Sequence, residues 1–197
     1  MQILSKPMGV FQTNCYIVFL PRGEIIIDPG VDAADWVKSR VKTPLAILNT
    51  HGHFDHVWSN RKLQESLKTV LYTPKKDIFM LQNDTFGYGM DSSVPDVEVD
   101  GDQKFEIGGD IVEFLHFPGH TPGCSIIKIA NVIFSGDFLF KNSIGRTDFP
   151  YSSSEDMKRS ILKFLEFKED LSVYPGHGDS TSVKTEQKNL PLWLEYL

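Results

Sequence analysis

The stretch Thr50-His51-Gly52-His53-Phe54-Asp55-His56 constrains this chain more than any other. Four potential metal ligands, His51, His53, Asp55 and His56, fall within six residues, directly after the apolar run 44–48. A strand ending near Asn49 displays them at its carboxyl end. Side chains alternate along an extended backbone, so His51 and His53 share one side. Asp55 and His56 then begin a helix and turn toward a second position. Three of the chain's six histidines lie here. Buried with nothing to bind, they would leave polar groups unpaired. Imidazole and carboxylate clusters of this kind are the ligands of zinc and iron sites. One short loop thus has the means to serve two ions.

The surrounding chain alternates strand and helix patterns. Residues 14–20 and 24–28 read as a hairpin around the turn Pro21-Arg22-Gly23. Their apolar runs are continuous rather than alternating, which predicts strands covered on both faces. A short helix is expected over 32–41, with Asp32 as its N-cap. Strands over 45–48 and 69–72 and helices over 57–67 and 75–82 follow, an order that indicates α/β layering. Residues 83–97 mix Phe86, Tyr88 and Met90 with Gly87 and Gly89. They read as a lid or substrate wall or as an ordinary surface loop; the loop is preferred, because nothing in it carries chemistry of its own. The second half repeats the plan, with hairpins over 102–114 and 125–134, a helix over 154–168 capped by Ser152 or Ser153, a strand over 171–174 and a last helix over 190–196.

At 197 residues with 41% hydrophobic residues, one domain over 1–197 with a substantial core is expected. A net charge of −6 argues against a protein that grips nucleic-acid phosphates. No apolar run reaches membrane-spanning length, and the first residues lack a signal-peptide pattern, so a cytoplasmic location is expected. Cys15 and Cys124 are far apart in the sequence and read as reduced, buried thiols.

Three further ligand candidates stand beside glycines at strand ends: His120, Asp137 and His177. With the first cluster they give seven nitrogen and oxygen ligands, enough for two ions with a shared carboxylate. Asp28, also at a strand end, either orders the metal loop or stabilises its own turn. His116 reads as a structural histidine.

The combination of Thr50–His56, Pro118-Gly119-His120-Thr121-Pro122-Gly123, Ser135-Gly136-Asp137 and Tyr174-Pro175-Gly176-His177-Gly178 resembles the metallo-β-lactamase superfamily. That resemblance implies an αβ/βα sandwich, two mixed β-sheets with helices on the outer faces. Phe138-Leu139-Phe140 and Gly145-Arg146-Thr147-Asp148-Phe149-Pro150 are most similar to the small glyoxalase II-like hydrolases. By resemblance, His51, His53 and His120 hold one metal, Asp55, His56 and His177 hold a second, and Asp137 bridges them. Two divalent ions, zinc by preference with iron or manganese also fitting, activate a shared water. The resulting hydroxide attacks an acyl-thioester, S-lactoylglutathione or a related small molecule. Asp55 and Asp137 are the catalytic carboxylates, and Asp55 also has the means to orient the water. Arg146 is the candidate substrate contact, its competing role being an ion pair with Asp148. Only twenty residues follow His177, so the C-terminal helical domain that builds much of the glutathione site in full-length relatives is not expected. Competing readings are a mononuclear-iron persulfide dioxygenase using His51, His120 and Asp137, and a lactonase.

Overall fold

The computed structural model describes residues 1–197. The first half runs β1 (Gln2–Met8), β2 (Thr13–Leu20), β3 (Gly23–Ile27), α1 (Ala33–Lys38), β4 (Pro44–Leu48), α2 (Phe54–Val57), α3 (Asn60–Leu67), β5 (Val70–Pro74), a 3-10 turn (Lys75–Asp77), α4 (Ile78–Gln82) and β6 (Val97–Val99). The second half runs β7 (Gln103–Ile107), β8 (Asp110–His116), β9 (Ser125–Ile129), β10 (Val132–Gly136), the small pair β11 (Leu139–Phe140) and β12 (Ser143–Ile144), α5 (Ser154–Leu165), β13 (Ser172–Pro175), β14 (Thr181–Ser182) and α6 (Val183–Trp193).

Two six-stranded sheets result, β1-β2-β3-β4-β5-β6 and β14-β13-β10-β9-β8-β7. Each is mixed: β1 to β3 are antiparallel and β3 to β6 parallel, while β10 pairs parallel with β13 inside an otherwise antiparallel sheet. The continuous apolar runs are explained by two buried faces. In β3, Ile25 and Ile27 enter the core between the sheets, and Ile26 packs under the helices. In β9, Ile127 and Ile129 face inward while Ile126 faces the other helical layer. The first sheet's outer cluster includes Val37, Val57, Leu63 and Leu81 from α1 to α4; that of the second includes Met157, Ile161, Phe164 and Leu190 from α5 and α6. Helices therefore cover both outer faces of a sheet-on-sheet core.

Several boundaries differ from expectation for local reasons. Strand β1 carries no apolar pattern, because it is an edge strand with one buried residue, Met8, and Pro7 near its end. Asp32 precedes α1 but does not cap it: its backbone is left-handed, φ 63°, and its side chain makes no cap bond. The helix expected over 57–67 is two helices, with Asp55 and His56 inside the first. The last helix begins at Val183, seven residues before the expected start, because Ser182 accepts a hydrogen bond from the Thr185 amide and sets its first turn. Ser153 caps α5 in the same way through the Asp156 amide. Cys15 and Cys124 are buried, free and on opposite outer faces of the sandwich. No helix is long and apolar enough to cross a membrane.

Candidate metal centre

The seven candidate residues converge where β4, β10 and β13 end, together with the loop between β8 and β9. Open crevices at the carboxyl ends of strands are where α/β sheets bind ligands. His51 and His53 leave β4 in the connecting loop, Asp55 and His56 sit in α2, His120 follows β8, Asp137 follows β10 and His177 follows β13. Ring nitrogens of His51, His53 and His120 lie within 4.8 Å of one another, as do the ligand atoms of Asp55, His56 and His177. Asp137 stands between the groups: Oδ1 is 3.3 Å from His56 Nε2, and Oδ2 is 3.5 Å from both His120 Nε2 and His177 Nε2.

Four of the five rings are held through Nδ1 by a partner outside the ligand set. His51 Nδ1 lies 3.0 Å from Thr50 Oγ1, His56 Nδ1 3.0 Å from Asp28 Oδ2, His120 Nδ1 2.9 Å from the Arg146 carbonyl and His177 Nδ1 3.1 Å from the Phe11 carbonyl. Asp28 also accepts from the Thr50 amide and hydroxyl, at 2.8 and 2.6 Å. It thus orders the metal loop and fixes the His56 ring at once. Such partners set the orientation and basicity of a ligating imidazole. His51 Nε2, His53 Nε2, His56 Nε2 and Asp137 Oδ1 are buried without a hydrogen bond, although the last two lie 3.3 Å apart, and His53 Nδ1 meets His120 Nε2 at 2.9 Å. Orphaned buried polar atoms are costly, and here they point at common centres. The residues present fit divalent ions.

Charge separates the two groups. Burial, reinforced by the positive His56 nearby, holds His51 well below the ordinary imidazole value, and burial lowers His120 and brings His53 to about 3. These three are neutral, as ligands must be. In the second group burial acts in the same direction but loses to the carboxylates: Asp137 and Asp55 push His56 well up and hold His177 at about 9. Asp55 is drawn down to about 2, burial being overcome by His56 and His177. The carboxylates thus favour positive charge at this place, as they would a cation.

The metallo-beta-lactamase superfamily pattern matches residues 8–177 of this chain. The chain belongs to that superfamily. A hydroxyacylglutathione hydrolase (GloC) of Haemophilus influenzae is 32% identical, with 97% of each chain covered. The solved BLEG-1 B3 metallo-beta-lactamase superposes with a TM-score of 0.88 at 32% identity, covering 98% of this chain and 99% of that one. A relative solved in a di-iron-bound form gives 0.84 at 29% identity, with 96% and 99% covered. Members of this superfamily are generally metal-dependent hydrolases, and this chain carries a two-part His and Asp centre suited to metal.

Around that centre the sequence left several parts unseen. Thr13 Oγ1 donates to Asp55 Oδ2 at 2.7 Å and fixes that carboxylate. The start of β2 also pins the His177 loop, through Asn14 to the Pro175 and Gly178 carbonyls and Tyr16 Oη to Pro175 at 2.6 Å. Asp77, fully buried, accepts from the Gly52 amide (3.0 Å), the Thr121 hydroxyl (2.6 Å) and the Gly123 amide (2.6 Å). It ties the loop holding His51 and His53 to the one holding His120. Only the glycines at 52 and 123 hint at it: a Cβ at either would strike Asp77. His116 lies apart, with Nε2 2.8 Å from the Pro122 carbonyl and its amide on Asp102. Arg146 is exposed and bonded twice to Asp148, at 2.8 and 2.7 Å, its guanidinium 4.1 Å from the centre of the Phe149 ring. Phe86 and Tyr88 of segment 83–97 do line the cavity over the centre, so the segment is a wall of the site rather than an ordinary loop.

Proposed function

We propose that this metallo-β-lactamase-fold hydrolase is a binuclear thioesterase. His51, His53 and His120 hold one divalent ion, Asp55, His56 and His177 the other, and Asp137 bridges them. Zinc is the ion assigned, with iron as the competing occupant because a relative is described in a di-iron-bound form. The observation that carries the reading is Asp137, whose two oxygens reach both histidine groups at 3.3–3.5 Å.

Two ions in such a site lower the pKa of water and polarise a carbonyl. The chain's own groups supply the rest. Thr13 keeps Asp55 Oδ2 facing inward. Asp28, Thr50 and the Arg146 and Phe11 carbonyls hold the imidazoles in one orientation, so that little rearrangement is needed as charge develops. Aromatic rings line the cavity above the centre and reduce the polar surface that water can solvate there. Apart from Tyr88, every titratable group lining that cavity belongs to the ligand set. A departing amine or alkoxide needs a proton donor in place; a thiolate, with a thiol pKa of about 8.5, leaves without one. This favours a thioester, and the Haemophilus influenzae relative is a hydroxyacylglutathione hydrolase by name.

The test is elemental analysis of the purified protein together with a substrate panel: S-lactoylglutathione, a short neutral thioester, a lactone and a β-lactam. Two ions per chain and chelator-sensitive thioester cleavage are expected. Turnover of the β-lactam or lactone without the thioesters refutes the proposal. So does a single iron with oxygen uptake on glutathione persulfide.

A further inference from the structure

The cavity above the centre is about 260 Å³, and its lining that is not ligand consists of five aromatic rings. Phe54 and Tyr88 stack at 4.3 Å with 29° between their planes. Phe11 meets both edge-on, at 5.0 and 6.1 Å, and Phe86 leans on Phe54 at 5.7 Å. Phe149 comes from the chain after β12 and stands edge-on to His53 and His120 at 5.9 and 6.0 Å. This wall is built in: Asp84 accepts hydrogen bonds from the amides of Tyr88 and Gly89, at 3.1 and 2.6 Å, and fixes the turn that presents Tyr88.

Charge is missing where a charged thiol would need it. All charged groups lining the cavity are ligand candidates. Arg146 and Lys141 do not line it: they stand outside in exposed pairs, with Asp148 at 2.8 and 2.7 Å and with Asp179 at 3.1 Å. Away from the ion-holding floor, a carboxylate drawn against these rings would lose water without gaining a partner. The volume lies near the lower end of small-molecule pockets, about 300 Å³, enough for an acyl group and a sulfur but not for a tripeptide conjugate as well.

We propose that the preferred substrate is a thioester whose small apolar acyl group, best an aromatic one, packs between Phe149 and the Phe54–Tyr88 pair, while its thiol carrier stays outside and is not recognised through its charges. This rests on the thioesterase reading and narrows it.

The experiment uses the metal-loaded full chain and two acyl groups, phenylacetyl and lactoyl, each on glutathione and on the neutral thiol N-acetylcysteamine. For either thiol, kcat/KM should favour phenylacetyl by about ten-fold or more, the discrimination an apolar pocket gives. For either acyl group, the two thiols should agree within about three-fold, and Arg146→Ala should change both thiols alike. Tyr88→Ala should collapse the acyl preference to about three-fold or less, and Tyr88→Phe, which keeps the stacked ring, should retain it. A second readout is calorimetric binding of the non-hydrolysable thioethers: the 2-phenylethyl compound should bind about ten-fold tighter than the methyl one, with a negative heat-capacity change. Thioester cleavage that prefers lactoyl, or that prefers glutathione ten-fold over N-acetylcysteamine, overturns this proposal and leaves the thioesterase standing. Cleavage of no thioester overturns both.

Discussion

Asp77 is the residue whose removal tests the architecture of the site most directly. It touches no candidate ligand, yet its carboxylate bonds to Gly52, Thr121 and Gly123 on both loops of the first histidine group. Asp77→Ala leaves the Gly52 and Gly123 amides buried without acceptors, at about 1–3 kcal/mol each. Stability should therefore fall by about 2–6 kcal/mol, and melting of the metal-free protein by about 2–4 °C for each kcal/mol. Asp77→Asn is more informative. Burial raises the Asp77 carboxyl to about 6, outweighing the three hydrogen bonds that pull it down. The folded chain then binds this proton more tightly than the unfolded chain, whose carboxyl stays near 3.8. The associated stability is full below that value and is lost as pH rises through about 6, a change of about 3 kcal/mol at 1.4 kcal/mol per pKa unit. The Asn variant does not titrate there. Its stability between about pH 4 and 6 should fall less with rising pH than that of the wild type, by that amount. Supporting partners of metal ligands are typically worth 10–100-fold in affinity, so both variants should bind the first ion about that much more weakly in chelator competition. Wild-type metal affinity in a variant that melts lower would make Asp77 a fold residue only and refute the positioning argument.

At Gly176 a Cβ would collide with Asp137 Oδ1 and come within 2.7 Å of His56 Cε1; Gly176→Ala should lose one metal equivalent by elemental analysis and most activity, and retention of both ions would show that the loop yields easily. Carboxylates push His56 and His177 toward the protonated form, whereas burial favours neutral His51, His53 and His120; loading the second group at pH 7 should therefore release about two imidazole protons beyond any from metal-bound water, measurable by calorimetry in buffers of different ionisation enthalpy, and the first group no imidazole proton. His116→Asn should keep both ions and a rate within about three-fold, since its ring bonds only to the Pro122 carbonyl; loss of an ion would place His116 in the site.

The parts of this protein that were legible in its sequence are those where one residue type has few alternative uses. Three histidines and an aspartate in six positions, with three more candidates beside glycines at strand ends, leave little besides metal binding, and the structure brings all seven together. Strands β2, β3, β4, β9 and β10 were visible because each is buried on two faces and so carries consecutive apolar residues. Strand β1 escaped notice because an edge strand needs backbone partners, not apolar side chains. Asp77 and Thr13 escaped because their roles exist only across 25 to 46 positions of chain, through single hydrogen bonds that leave no local pattern. Segment 83–97 escaped for a third reason: it holds aromatic rings without a period, and only closure of the fold shows that Phe86 and Tyr88 line the same cavity as Phe149. Ligand chemistry is local and thus readable along the chain. The wall of the cavity is assembled from Phe11, Phe54, the Phe86–Tyr88 turn and Phe149 on four separate segments, so sequence motifs identify the ligand set more readily than what the cavity accepts.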